Sequence, residues 1–168
     1  NLMKIILTGA TGVLGSHIMY EILELFIKKP NLNNKLYIIA RNNGKNSAEN
    51  RITDLLSSYY TPKILQNIGL NELNKYIEII SFDIVVNEEL FLEKIKGAYL
   101  IHSAGYVNLS TDEELKEKIF DENVQLTKTL FSVLHPHIKK FIYIGTAFSS
   151  GIRKGLIDTD FHNLDFTP

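Results

Sequence analysis

The sequence predicts an α/β fold, a doubly wound parallel sheet with strand order 3-2-1-4-5. Three observations carry that expectation. Short, β-branched apolar runs alternate along the chain with longer runs of helical periodicity, as in consecutive βαβ units. The run Leu36-Tyr-Ile-Ile-Ala40 is apolar almost throughout, as a parallel strand covered on both faces requires. Near the start, Gly9, Gly12 and Gly15 stand at three-residue spacing between a strand-type run and a helix-type run.

The elements follow in order. Lys4 to Thr8 is the first strand, and the first helix runs from about Val13 to Lys29, with Leu14, Ile18, Ile22, Leu25 and Phe26 forming its apolar face. Pro30 and an Asn-rich turn end it, and Leu36 to Ala40 is strand 2. A second helix is expected over Ser47 to Tyr60 and is broken by Pro62, with short helical pieces over Lys63 to Lys75. Tyr76 to Ser81 is strand 3. Asn87 caps a short helix reaching Lys96, Gly97 turns the chain, and Ala98 to His102 is strand 4. A long helix is expected from Asp112 to Leu134, stopped by His135-Pro136, and Lys140 to Ile144 is strand 5. Beyond Gly151 the chain reads as loop. Right-handed crossovers then place the ligand crevice where the strand order reverses, at the carboxyl ends of strands 1 and 4.

A strand feeding a Gly-rich turn that opens a helix is the dinucleotide-binding fingerprint in its required context. Gly9 permits a sharp turn, Gly12 has no Cβ to obstruct a pyrophosphate, and Gly15 permits close packing of the helix. Thr11, Val13 and Leu14 lie between them on the same phosphate-binding turn. The anion would sit at a helix N-terminus, where free N–H groups and the macrodipole favour negative charge.

Composition narrows the classes. The 168 residues suit one domain, read as residues 3–168, and a net charge of −1 argues against a nucleic-acid partner. No cysteine is present, so disulfide and thiolate chemistry are excluded. No run approaches the ~20 apolar residues of a membrane span, and no leader is visible, so a cytoplasmic location is expected. The five histidines lack metal-ligand spacing, and no metal is expected.

The strand ends hold the candidate chemistry. An NAD site usually places an acid about 20 residues after the glycines, to accept the ribose 2′-OH. Here strand 2 closes with Ala40-Arg41-Asn42, and a guanidinium in that position suits the 2′-phosphate of NADP. Arg51 is read as a surface residue, with a second phosphate contact as the alternative. After strand 3, Asp83 either accepts the adenine amine, with Ile84 against the ring, or serves as a turn residue. After strand 4, Ser103-Ala104-Gly105 are small enough for the backbone to approach a cofactor, while His102 reads as a satisfied core histidine.

With the glycine motif, Asp83, His102-Ser-Ala-Gly105, Asn123 and Tyr143-Ile-Gly-Thr146-Ala-Phe-Ser-Ser-Gly151, the chain resembles an extended short-chain dehydrogenase/reductase from Lys4 to about His162. It is most similar to the branch of fatty acyl-CoA reductases (male-sterility proteins) and thioester reductase domains. Ile39-Ala-Arg41 closing strand 2, the helical insert before strand 3 and the segment after strand 5 carry that likeness. The resemblance implies a Rossmann-like sheet and an NADP cofactor. It makes Gly9, Gly12 and Gly15 cofactor glycines, Arg41 the 2′-phosphate reader and Asp83-Ile84 the adenine contacts. Thr146 is then the hydroxyl that holds the substrate carbonyl. Asn123 matches an Asn-Val-x-Gly-Thr pattern, but Leu126 replaces its glycine.

The family's Tyr-x-x-x-Lys helix, which supplies the general acid, has no match before Pro168. The expectation is a front half truncated after strand 5, which binds dinucleotide weakly, turns nothing over and leaves strand 5 as an uncovered edge. The parent activity implied is NADPH-dependent reduction of a carbonyl or acyl-thioester substrate, with a second copy as partner in a homodimer. The alternatives are a nucleotide-sugar epimerase or dehydratase of the same class, or a non-catalytic dinucleotide sensor.

Overall fold

A computed structural model describes residues 3–30, 33–41, 44, 46–82, 85, 89–106 and 113–145. Five parallel strands form one sheet: β1 (Lys4–Thr8), β2 (Lys35–Ala40), β3 (Ile77–Ser81), β4 (Tyr99–His102) and β5 (Lys140–Tyr143). Their order is β3-β2-β1-β4-β5, as the alternation of elements predicts. The helices are α1 (Val13–Lys28), α2 (Ala48–Leu56), α3 (Lys63–Ile68), α4 (Leu70–Leu73), α5 (Glu89–Lys94), α6 (Glu113–Phe120) and α7 (Leu126–Leu134). A π-helical turn, Asp121–Gln125, joins α6 to α7, closed by a bond from the Leu126 N–H to the Asp121 carbonyl. The single long helix expected there is therefore interrupted. Asn87, expected as a cap, lies outside the described residues.

Successive strand residues point to opposite faces, so one strand feeds two cores. Ile5, Leu7, Leu36 and Ile38 pack with Met19, Leu23 and Phe26 of α1, and with Ile52, Leu56, Leu65 and Leu73 of α2 to α4. Ile6, Tyr37, Ile39, Ile80 and Leu100 pack on the other side with Phe91 of α5 and Leu130 and Leu134 of α7. Burial on both faces is what the uninterrupted apolar run of β2 anticipates.

The inward face of α1 differs from the expected one. Its buried residues are Gly15, Ser16, Met19, Tyr20, Ile22, Leu23 and Phe26. Leu14 is 52% exposed and Leu25 37%. The phase of the helix is set at its start, where Gly15 and Ser16 pack beneath the preceding turn, and this rotates Leu14 away from the sheet. Ser47 caps α2 by accepting the Asn50 N–H at 3.1 Å, which fixes that helix against the end of β2.

Candidate functional site

The Gly-rich turn connects β1 to α1 and is shaped by two absent side chains. Gly9 has φ +76°, and a Cβ there would come 2.6 Å from the Ala104 amide nitrogen. A Cβ on Gly15 would fall 2.0 Å from the Gly9 carbonyl oxygen. The Gly12 amide donates to that oxygen at 2.9 Å, closing the turn, and Ser16 donates to the Gly12 carbonyl at 2.9 Å. A Cβ on Gly12 would meet, among the described residues, only the Gly9 carbonyl oxygen at 3.4 Å. Gly12 stands at the N-cap in extended conformation with no side-chain cap bond, so the first turn of α1 presents its amides to an anion. Val13 in that turn is 85% exposed.

The turn opens on a cleft of about 380 Å³, within the 300–1,000 Å³ typical of ligand pockets. Its floor is Thr8 to Gly12, and one wall is Ile39, Ala40, Arg41 and Arg51 with Phe82 beyond. The other wall is Ser103 to Tyr106 with Glu122, Leu126 and Leu130. The cleft thus lies at the carboxyl ends of β1 and β4, as the strand order requires.

The arginines do more than their positions in the sequence suggest. Arg51, expected at the surface, is half-buried and ties two segments together. Its guanidinium donates to the Thr11 hydroxyl at 2.7 Å and to the Arg41 carbonyl at 3.1 Å, strapping the glycine turn to the end of β2. The Arg41 guanidinium meets Glu122 at 2.7 Å. That hydrogen-bonded pair raises the Arg41 pKa and holds the Glu122 carboxyl below its ordinary value.

At the end of β4, His102 is fully buried between two hydroxyls. Its Nδ1 lies 2.6 Å from Thr8 Oγ1 and its Nε2 2.8 Å from Thr127 Oγ1. Thr127 donates its proton to the Asn123 carbonyl, and Thr8 Oγ1 accepts the Ala104 N–H at 3.1 Å. These directions assign the tautomer: Nε2 carries the hydrogen and donates to Thr127, while Nδ1 accepts from Thr8. Burial lowers the His102 pKa, in keeping with a neutral ring. The core-histidine reading holds, and the ring positions Thr8 and Ala104 at the cleft.

Asn123 clamps the other wall. Its side-chain carbonyl accepts the Tyr106 N–H at 2.6 Å and its amide donates to the Tyr106 carbonyl at 2.9 Å. Gly105 lies beside it, where a Cβ would be in ordinary contact, 3.4 Å from Asn123 Oδ1. Leu126, where the resembled pattern has glycine, lines the cleft directly after the π turn.

Of the expected site residues, Gly9, Thr11, Gly12, Arg41, Ser103, Ala104 and Gly105 come together around this cleft. Val13, Leu14 and Gly15 stand beside it in the first turn of α1. Asp83, Ile84 and Thr146 lie outside the described residues. The sequence reading missed Phe82, Tyr106 and Glu122, named Leu126 only as a departure from the family pattern, and read Arg51 as a surface residue with a phosphate contact as the alternative. Phe82 carries a signal in hindsight, an aromatic residue leaving a strand toward the crevice. Glu122 carries none, because its partner lies on a different element.

The fold, the glycine turn and the cleft define a dinucleotide-binding domain of Rossmann type. The sequence signature of the male sterility protein family matches residues 7–166, and the chain belongs to that family. Among solved structures it is similar to the reductase domain of a non-ribosomal peptide synthetase from Mycobacterium tuberculosis. The two are 25% identical, with a TM-score of 0.61, over 88% of this chain and 34% of that one. A UDP-glucose-4-epimerase from Stenotrophomonas maltophila, solved with bound NAD, shares the fold at 13% identity and a TM-score of 0.57, over 91% of this chain and 40% of that one. A dTDP-D-glucose 4,6-dehydratase from Dictyostelium discoideum is 27% identical over 157 residues, 90% of this chain and 31% of the relative. The chain thus spans about a third of the length of the dehydratase and of the reductase domain it matches. The family makes the cofactor a nicotinamide dinucleotide. Among the described residues, no helix is long and apolar enough to cross a membrane.

Proposed function

We propose that this chain is the cofactor-binding part of an NADPH-dependent reductase that acts on a carbonyl or acyl-thioester substrate. One observation carries the NADP reading: two arginines, Arg41 and Arg51, converge at the end of β2, where an NAD site usually places an acid of that strand. The residues fit the cofactor. Gly9 and Gly15 leave no room for side chains, Gly12 leaves its outer side open, and the uncapped first turn of α1 faces the pyrophosphate position. Arg41 would hold the 2′-phosphate, with Arg51 supporting it from α2. Phe82, at the end of β3, would lie against the adenine together with Asp83 and Ile84, and Ser103 to Gly105 would follow the ribose and nicotinamide side. When bound, the cofactor supplies a hydride to a carbonyl carbon. Thr146 would donate a hydrogen bond to that carbonyl oxygen, and a Tyr–Lys pair elsewhere in the parent protein would supply the proton. The parent protein would act in the cytoplasm on a small-molecule or acyl-thioester substrate, as a homodimer.

Similarity to the reductase domain favours this reading, and similarity to the dehydratase favours a second one, sugar-nucleotide chemistry with tightly held NAD. Fluorescence titration with NADPH and NADH separates them. The reductase reading expects NADPH to bind tighter, and Arg41→Ala to lower the NADPH:NADH affinity ratio by about tenfold, the loss of one charge-assisted pair. An unchanged ratio would sink it.

A further inference from the structure

The carboxylate opposite Arg41 comes from neither β2 nor the glycine turn, but from the π turn between α6 and α7. Glu122 and Arg41 stand on opposite walls of the same cleft and meet at 2.7 Å. We infer that Glu122 is a specificity-determining residue of this cleft, holding the Arg41 guanidinium as an internal substitute for the 2′-phosphate, which NADPH must displace and NADH need not. The inference rests on Arg41 being the 2′-phosphate reader.

Three features support it. The first is the strength of the pair, since the Arg41 side chain is 62% exposed and that of Glu122 24%. An ion pair so open to water is weak enough to be exchanged, whereas a phosphate can take the guanidinium through paired, charge-assisted bonds. The second is the placement of Glu122. Its neighbour Asn123 is fastened at both ends of its amide to the Tyr106 backbone, so the Glu122 backbone is fixed and only its side chain needs to move. The third is an alternative partner. Lys118 stands four residues earlier, with its ammonium 4.7 Å from the centre of the Tyr106 ring, and already stabilises the Glu122 carboxylate through space. A carboxylate turned off Arg41 therefore remains beside a cation. With NADH, which has no 2′-phosphate, the Arg41–Glu122 pair can stay closed.

The test is a titration of the chain with NADPH and with NADH, as wild type, Glu122→Gln, Glu122→Ala and Arg41→Ala. Removing the competing charge is expected to tighten NADPH by about two- to fivefold, the range an exposed pair allows. NADH should not tighten, so the NADPH:NADH ratio rises, and retained NADH binding reports an intact fold. Both Glu122 variants carry this expectation. If Arg41→Ala lowers the ratio while both Glu122 variants leave it unchanged, the inference fails and the 2′-phosphate reading stands. If Glu122→Gln weakens both cofactors equally, Glu122 is a structural residue and the inference fails. If no variant moves the ratio, the 2′-phosphate reading fails and the inference with it.

Discussion

Gly15 lies directly beneath Gly9, so close that a Cβ on Gly15 would stand 2.0 Å from the Gly9 carbonyl oxygen and 2.5 Å from its carbon. Both atoms are backbone, and neither can turn aside as a side-chain tip would. Helix propensity favours alanine over glycine by about 1 kcal/mol, but forcing backbone apart costs about 1–3 kcal/mol. Gly15→Ala is therefore expected to destabilise the fold despite the better helix former, as a lower urea midpoint with unchanged slope. A stabilised variant would mean that α1 can slide away from the turn.

Gly12 separates packing from binding. Its φ of −85° suits any residue, and its Cβ would meet the Gly9 oxygen at a tolerable 3.4 Å. Gly12→Ala should cost no more than about 1 kcal/mol of stability, the N-cap preference for glycine over alanine. The added methyl would face the open side, where the proposed site receives the pyrophosphate. Dinucleotide affinity should fall at least about tenfold. Equal affinity in the two proteins would place the phosphates elsewhere.

Arg51 spans two acceptors, the Thr11 hydroxyl and the Arg41 carbonyl, which lie on separate segments. A lysine ammonium is a single point and cannot reproduce the fork. Arg51→Lys should lose about 1 kcal/mol, one net hydrogen bond, and loosen the glycine turn against β2. A double-mutant cycle of Arg51→Ala with Thr11→Val should give a coupling of about 0.5–1.5 kcal/mol in denaturation. Zero coupling would dissolve the strap.

His102 makes stability depend on pH. Its folded pKa lies below the ordinary value of 6.5, so the unfolded chain binds the proton more readily. The contribution is whole above pH 6.5 and is lost as the pH falls toward the lower folded value. Protonation would also place an Nδ1–H against the Thr8 hydroxyl hydrogen and force Thr8 to turn, releasing its hold on Nδ1. Urea midpoints at pH 7.5 and 5.5 should differ, and His102→Gln, though less stable at pH 7.5, should show a smaller difference. An equal pH slope in the two proteins would remove His102 as the cause.

Strand order and the glycine turn were legible because both are written in local pattern: apolar runs of strand length, helical periods between them, and glycines at a strand end. Leu14 shows where local pattern failed. Apolar spacing put it on the inward face of α1, yet the contact of Gly15 with Gly9 sets the phase of that helix, and a contact between glycines leaves no apolar mark. The π turn at Asp121–Gln125 was hidden for a related reason, since one extra residue in a helix barely disturbs a period averaged over its whole length. In the cleft, the residues read in advance belong to strand ends. Glu122 was missed, and Arg51 was read as surface with a phosphate contact as the alternative, because their contacts join segments distant in sequence, and a side chain's reach across a cleft is set by tertiary packing. His102 was read as a satisfied core residue, but its two threonine partners could not be named, because Thr8 and Thr127 reach it from β1 and α7.

The packing of Ala104 and Ser103 over Gly9 has a consequence in time. The turn directly follows β1, but the backbone that roofs it follows β4, and the hydrogen bond from Ala104 to Thr8 joins residues 96 positions apart. During synthesis, which proceeds from the N-terminus at about 5–20 residues per second, β1 and α1 emerge several seconds before that roof exists. The glycine turn is thus made well before the backbone that completes it. Until β4 docks, the turn closed by Gly12 and Gly15 has no roof, and the cleft has its sequence but not yet its shape.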